Sequence, residues 1–157
     1  MTETFSFNAG SLDKVKFELS KYPEDRKQSA VMSLLDIAQR QNGGWLSKSA
    51  IEHVASHLEM PYIKVYEIVT FYSMYYTTPV GKYFVQVCTT TPCWLKGSDE
   101  VVKACKETIS EKQNELSNDG LFSWMEVECL GACVNAPLVQ INDDFYEDLN
   151  YENTKNV

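Results

Sequence analysis

Apolar residues recur at helical spacing through the first half of the chain and alternate through the second. Leu12, Val15, Phe17 and Leu19 predict a short helix with Ser11 as its N-cap. Tyr22-Pro23 ends it, because a residue before proline avoids helical geometry. Residues 1–10 read as a flexible lead-in. Residues 26–42 read as one amphipathic helix, with Val31, Leu34, Leu35 and Ala38 at i, i+3, i+4 and i+7 and Gly43-Gly44 as its stop. Ser47 or Ser49 can cap the next, which carries Ile51, Val54, Ala55 and Leu58. Pro61 suits the first position of another, with Val65, Ile68, Val69 and Tyr72 on its apolar face.

The pattern changes at Thr77-Thr78-Pro79-Val80-Gly81. Lys82–Val87 alternates and is rich in β-formers, so it predicts a strand running into Cys88. Ser98-Asp99-Glu100 opens a helix to about Ile109, with a hydroxyl cap and two acids at the positive end of the dipole. Residues 110–120 are polar loop. Phe122–Val127 predicts a strand leading into Cys129, and Leu138–Ile141 another before the turn Asn142-Asp143-Asp144. Phe145, Tyr146 and Leu149 are placed to close the sheet. The chain therefore reads as a helical region followed by a small α/β unit.

Charge divides the chain at the same place. Residues 1–79 hold 8 Lys+Arg against 9 Asp+Glu, whereas residues 80–157 hold 6 against 13. An acidic balance of −8 disfavours nucleic acid, whose binding displaces counterions with surplus Lys and Arg. No run approaches the roughly 18 apolar residues of a membrane span. Met1–Asn8 lacks the basic and apolar regions of a secretory signal, and the first 25 residues hold no Arg, which argues against a transit peptide. Without a secretory signal the expected compartment is reducing. There cysteines serve more often as metal ligands or catalytic groups than as staples.

All five cysteines lie in the acidic part. Cys88 and Cys93 form C-x4-C, 35 residues separate them from the second pair, and Cys129 and Cys133 form C-x3-C. Each pair follows a predicted strand, so two rigidly held loops can converge on one centre. Four thiolates suit an iron–sulfur cluster or a structural zinc, and a redox disulfide is the third reading. The spacing favours the cluster, since a two-iron centre is wider than one zinc ion and suits longer loops. Gly131 and Ala132 leave backbone N–H groups free to approach sulfur, and Leu130, Trp94 and Leu95 are candidates to shield one side from water. Cys105 falls within a predicted helix and reads as a buried structural thiol.

His53 and His57 stand four apart, a ligand spacing, but HExxH is absent and both read as solvated face residues. Tyr62, Tyr66, Phe71, Tyr72, Tyr75 and Tyr76 form an aromatic cluster divided between core packing and a partner surface. A cis bond at Ala136-Pro137 is an expectation of the α/β reading. The chain offers no GxGxxG, no Walker A motif and no hydrolytic triad order, which leaves one-electron transfer as the implied chemistry.

VCTTTPCWLKGSDE and EVECLGACVNAPLVQINDDFYEDL, with QSAVMSLLDIAQRQNGGWLS and MPYIKVYEIVTFYSMY upstream, resemble the NuoE-type subunit of bacterial NADH:quinone oxidoreductase, respiratory complex I. The resemblance spans roughly residues 5–150. It implies an α+β protein, with an N-terminal helical bundle (1–78) followed by a thioredoxin-like α/β ferredoxin domain (79–157). It implies one 2Fe–2S cluster on Cys88, Cys93, Cys129 and Cys133. FMN and NADH would be bound by a partner flavoprotein subunit, alongside other peripheral-arm subunits, so the isolated chain would not be catalytic. Nucleic acid and direct membrane insertion are not expected. The implied location is cytoplasmic, peripheral to the inner membrane through the complex. Equivalent subunits of NAD-linked hydrogenases or formate dehydrogenases, and a four-cysteine zinc module, stand as alternatives.

Overall fold

A computed structural model describes residues 4–157. Mixed helices and a small sheet divide into two compact units, Met1–Pro79 and Val80–Val157. No helix among the described residues is long and apolar enough to cross a membrane.

In the first unit, helix α1 is Ala9–Leu19. Its N-cap is Asn8 rather than Ser11: the Asn8 Oδ1 accepts from the Ser11 N–H at 2.9 Å. Asparagine is a strong cap, and capping three residues ahead leaves Ser11 inside the first turn. The segment before it is held, contrary to the flexible lead-in. Phe7 is buried, the Asn8 N–H donates to Gln41 Oε1, and Gln41 Nε2 donates to the Ser6 carbonyl. Residues 1–3 of that lead-in lie outside the described residues.

The helix expected over 26–42 begins as a 3-10 run, Glu24–Ala30, kinked at Arg26, and only Val31–Gln41 is α-helical (α2). The cause is local: DRKQS offers nothing to bury, whereas Val31, Leu34, Leu35, Ile37 and Ala38 all do. Gly43 and Gly44 take positive φ just past its end. Helix α3 (Lys48–His57) is capped by Ser47, whose Oγ accepts from the Ala50 N–H. Pro61 precedes helix α4 (Tyr62–Phe71), one position earlier than expected. Val15, Leu34, Leu35, Ile51, Val54, Leu58, Val65 and Val69 form the core. Tyr75 is buried and donates its hydroxyl to the Met32 carbonyl at 2.9 Å.

The second unit is built on a four-stranded sheet ordered β2-β1-β3-β4. Strand β1 is Tyr83–Cys88, β2 is Phe122–Val127, β3 is Val139–Ile141 and β4 is Asp144–Tyr146. β1 and β2 are parallel, so the chain must cross over between them, and helices α5 (Thr91–Leu95) and α6 (Ser98–Thr108) form that crossover. β3 pairs antiparallel with β1, and β4 with β3. Val85, Val87, Val101, Val102, Cys105, Trp124, Val139 and Leu149 make the core. Trp124 is buried with its indole N–H donated to the Ser110 carbonyl at 2.9 Å. Helix α7 (Tyr151–Thr154) closes the chain under a capping box between Asn150 and Asn153.

Two local readings are corrected here. Helix α6 is capped by Gly97 in left-handed geometry, and the Ser98 hydroxyl is buried with no hydrogen-bond partner among the described residues. Helix α5 is not among the expected elements, although Thr90 at its N-cap and Pro92 in its first turn carry the signal for it.

Candidate metal centre

Parallel pairing fixes where the cysteines meet. The β1–β2 register sets Cys88 beside Val127. The loops leaving both strands therefore emerge at the same sheet end, the usual binding edge of α/β architectures. Cys88 is the last residue of β1, and Cys93 lies in α5. Cys129 follows β2 by two residues, and Cys133 opens the 3-10 turn Cys133–Asn135.

The two pairs differ in exposure. Cys88 and Cys93 are fully buried, packed with Ala136 and Leu138 and flanked by Leu130 and Ala132. Cys129 is exposed and Cys133 half-buried, with their sulfurs 3.4 Å apart. Ala136-Pro137, beside the inner pair, is cis, as the sequence led us to expect. The shielding is not as expected. Leu130 packs inward, but Trp94 and Leu95 are 57% and 73% exposed. On a one-turn helix that buries Cys93, the next residues rotate outward by about 100° each.

Each sulfur's environment follows from its donors. Burial pushes the Cys88 thiol up, but donation from the Thr90 hydroxyl, the Leu130 N–H, the Cys93 thiol and the Thr90 N–H brings it below its ordinary value. Burial raises Cys93 to about 11. Its hydrogen bond with Cys88 and the charges of Cys88 and Cys133 add to this, against donation from the Leu138 N–H. Cys133 is raised by its hydrogen bond with Cys129, then by burial and by the charges of Cys129 and Cys88. The Gly131 N–H donates to Cys129 at 3.4 Å. Gly131 has φ +86, a left-handed conformation that L side chains rarely adopt.

These donors fit anionic, metal-bound sulfur. Backbone N–H groups aimed at Cys88, Cys93 and Cys129 would stabilise the thiolates of an iron–sulfur centre. Among the described residues, no three His, Cys, Asp or Glu side chains gather around one point as they would about a single ion. The sulfurs stand as two pairs, a division that suits two irons.

Three other candidates resolve differently. Cys105 is buried in α6, and burial raises its thiol to about 11. His53 is not a solvated residue. Its ring meets Phe7 edge-on at 5.0 Å and Phe5 at 5.6 Å, and burial, then the charge of His57, lowers its pKa. The sequence pattern hid this because the rings covering His53 belong to the segment ahead of α1. In the aromatic cluster, Tyr75 is core while Phe71 is 80% exposed.

Comparison with known proteins bears on this arrangement. The pattern of the thioredoxin-like [2Fe-2S] ferredoxin family matches residues 15–157. The chain belongs to that family. Among curated ferredoxin relatives, the NuoE-type subunit of NADH-quinone oxidoreductase from Rickettsia typhi is 58% identical over 147 residues, covering 94% of this chain and 86% of its own. Its counterpart in Rickettsia bellii is 58% identical over 148 residues, covering 94% and 89%. The mitochondrial NADH dehydrogenase [ubiquinone] flavoprotein 2 of Dictyostelium discoideum is 50% identical, covering 98% of this chain and 62% of its own. Among solved structures, the fold is shared with an NAD+-reducing [NiFe]-hydrogenase. The air-oxidized form has TM-score 0.64 at 18% identity, and the H2-reduced form 0.66 at 15%. Each match covers 78% of this ferredoxin chain but only 21% of the hydrogenase chain.

Proposed function

We propose that this chain is the electron-transfer subunit of the NADH dehydrogenase module of complex I and holds one 2Fe–2S cluster. Cys88 and Cys93 would ligate one iron, and Cys129 and Cys133 the other. The observation carrying this reading is the convergence of two cysteine pairs, with N–H donors directed at their sulfurs, at one sheet end of a family member. The names of the relatives at 50–58% identity favour this complex over a hydrogenase or formate dehydrogenase.

When bound, the cluster supplies one-electron redox chemistry. The chain's own residues bind and insulate it. Leu138, Ala136 and Leu130 keep water from the inner pair, and the Thr90, Leu130, Leu138 and Gly131 N–H groups stabilise sulfur charge. Acidic surroundings disfavour an added electron, so the potential should lie below that of the standard hydrogen electrode.

The flavin and NADH belong to a partner subunit in this reading, and the chain alone does not oxidise NADH. Trp94, Leu95 and Val134, exposed at 57%, 73% and 95% around the cysteine loops, are the apolar surface offered to that partner. We assign residues 79–157 as the ferredoxin domain and residues 1–78 as a helical bundle serving assembly. The complex would lie on the cytoplasmic face of the inner membrane.

Anaerobic reconstitution with iron and sulfide, followed by visible absorption and EPR after dithionite reduction, tests the reading. Two irons per chain and a rhombic signal in the reduced state are expected. A colourless protein that binds one zinc tightly would refute it.

A further inference from the structure

The two cysteine pairs differ in a way that the ferredoxin role does not require. Both pairs are in contact, but only Cys129 and Cys133 can be reached from solvent. Oxidant selectivity among thiols depends on access as well as ionisation. A small oxidant must breach Ala136, Leu138, Leu130 and Ala132 to reach Cys88 or Cys93, whereas the Cys129 sulfur is already exposed.

The outer loop is also able to close. A disulfide requires sulfurs about 2.05 Å apart, roughly 1.4 Å nearer than the present 3.4 Å contact. Side-chain rotation covers most of that. Gly131 stands between the two cysteines with open space around the position a Cβ would occupy. The loop therefore has room to adjust.

We propose that in the metal-free chain Cys129 and Cys133 form a peroxide-driven disulfide while Cys88 and Cys93 remain thiols, and that this closed pair blocks iron–sulfur assembly until it is reduced. The Cys129 thiolate attacks hydrogen peroxide and the O–O bond breaks. This leaves Cys129 as a sulfenic acid and releases hydroxide, which is protonated to water. The Gly131 N–H lies on the sulfur that changes charge. The Cys133 thiolate then attacks the Cys129 sulfur, the S–S bond forms, and the sulfenic oxygen leaves as a second water. Two electrons pass from the sulfur pair to one peroxide. A dithiol reductant returns them by exchange.

The pairing is a property of the chain without metal. Its consequence for iron rests on the ferredoxin reading. The test uses the full chain, stripped of metal by a chelator, reduced, and then freed of reductant under anaerobic conditions. One equivalent of hydrogen peroxide is added. Thiols are blocked with N-ethylmaleimide after denaturation, and the digest is mapped by mass spectrometry.

We expect the loss of two of the five thiols. The peptide bearing Cys129 and Cys133 should be unlabelled and lighter by two hydrogens, with Cys88, Cys93 and Cys105 labelled. Cys133→Ser should leave a dimedone-reactive sulfenic acid at Cys129, and Cys93→Ser should leave the outer disulfide unchanged. A disulfide that engages Cys88 or Cys93, or peroxide consumption with Cys133 still free in the wild type, overturns the pairing. In the second arm, the oxidised chain should take up no iron and sulfide until dithiothreitol is added. Cluster assembly on the oxidised chain overturns the block. Failure of the fully reduced chain to assemble a cluster counts instead against the ferredoxin reading.

Discussion

Gly81→Ala should destabilise the second unit severely, and the structure sets the magnitude. Gly81 stands just ahead of β1, where its N–H donates to the Ser123 Oγ at 2.8 Å. A Cβ there would lie 2.4 Å from the Phe122 carbonyl carbon, 2.7 Å from its Cα and 2.7 Å from the Ser123 nitrogen. Ordinary contact is about 3.5–4.0 Å, so the two backbones must separate by roughly 1.1–1.6 Å. All three clashing atoms are backbone, and no rotamer change relieves them. The nearby ladder bond from Tyr83 N–H to the Leu121 carbonyl, 2.9 Å long, would then exceed hydrogen-bonding distance. Overpacking at about 1–3 kcal/mol, with two lost hydrogen bonds at about 0.5–1.5 kcal/mol each, gives roughly 2–6 kcal/mol. A unit of this size is worth only about 4–12 kcal/mol.

Urea unfolding followed by the fluorescence of the buried Trp124 measures the loss. With a slope of about 1–1.5 kcal/mol per molar, the midpoint should fall by roughly 2 M or more. Because the same register places Cys88 beside the Cys129 loop, iron incorporation should fall in parallel. Gly10→Ala is the comparator. Its Cβ meets only Asn8 Oδ1, at an ordinary 3.6 Å, within helix α1. It should stabilise the first unit by about 0.5 kcal/mol. A Gly81→Ala midpoint within about 0.5 M of wild type would refute the reasoning.

Other expectations follow from the same geometry. Tyr75 is held up to about 12 from 10, first by burial and then by the charges of Asp36 and Tyr72, so the folded state keeps its proton longer than the unfolded chain. Its contribution, about 2–3 kcal/mol by linkage, is complete below pH 10 and lost as pH rises toward 12. Tyr75→Phe should flatten that alkaline slope in pH-dependent unfolding. His53 has a lowered pKa, so its contribution is present above pH 6.5 and lost as pH falls through its folded value. NMR titration should show His53 protonating at a lower pH than free histidine. Leu138→Ala, beside the inner cysteines, should cost about 2–5 kcal/mol and hasten iron loss under chelator. Asn142 has φ +54 and bonds both the Phe84 N–H and the Lys82 carbonyl, so Asn142→Ala should cost about 2 kcal/mol in denaturant unfolding.

Much of this molecule was determined by local sequence. The run Val31–Ala38 buries a helical stripe in any compact fold, and Phe122–Val127 pairs as the strand its alternation demands. Cysteine spacing named the four candidate ligands, because short loops after strands leave few places for a side chain to go. What local pattern cannot encode is which distant surface covers a residue. His53 reads as solvated until Phe5 and Phe7 lie over it, and Ser98 reads as a cap until Gly97 takes that place. The difference between the two cysteine pairs has the same origin. In sequence both are loops after strands. Only the parallel register of β1 and β2, with Leu138 and Ala136 packed beneath, buries Cys88 and Cys93 and leaves Cys129 open to water. Burial is a property of long-range packing, and long-range packing exists only once the chain has folded.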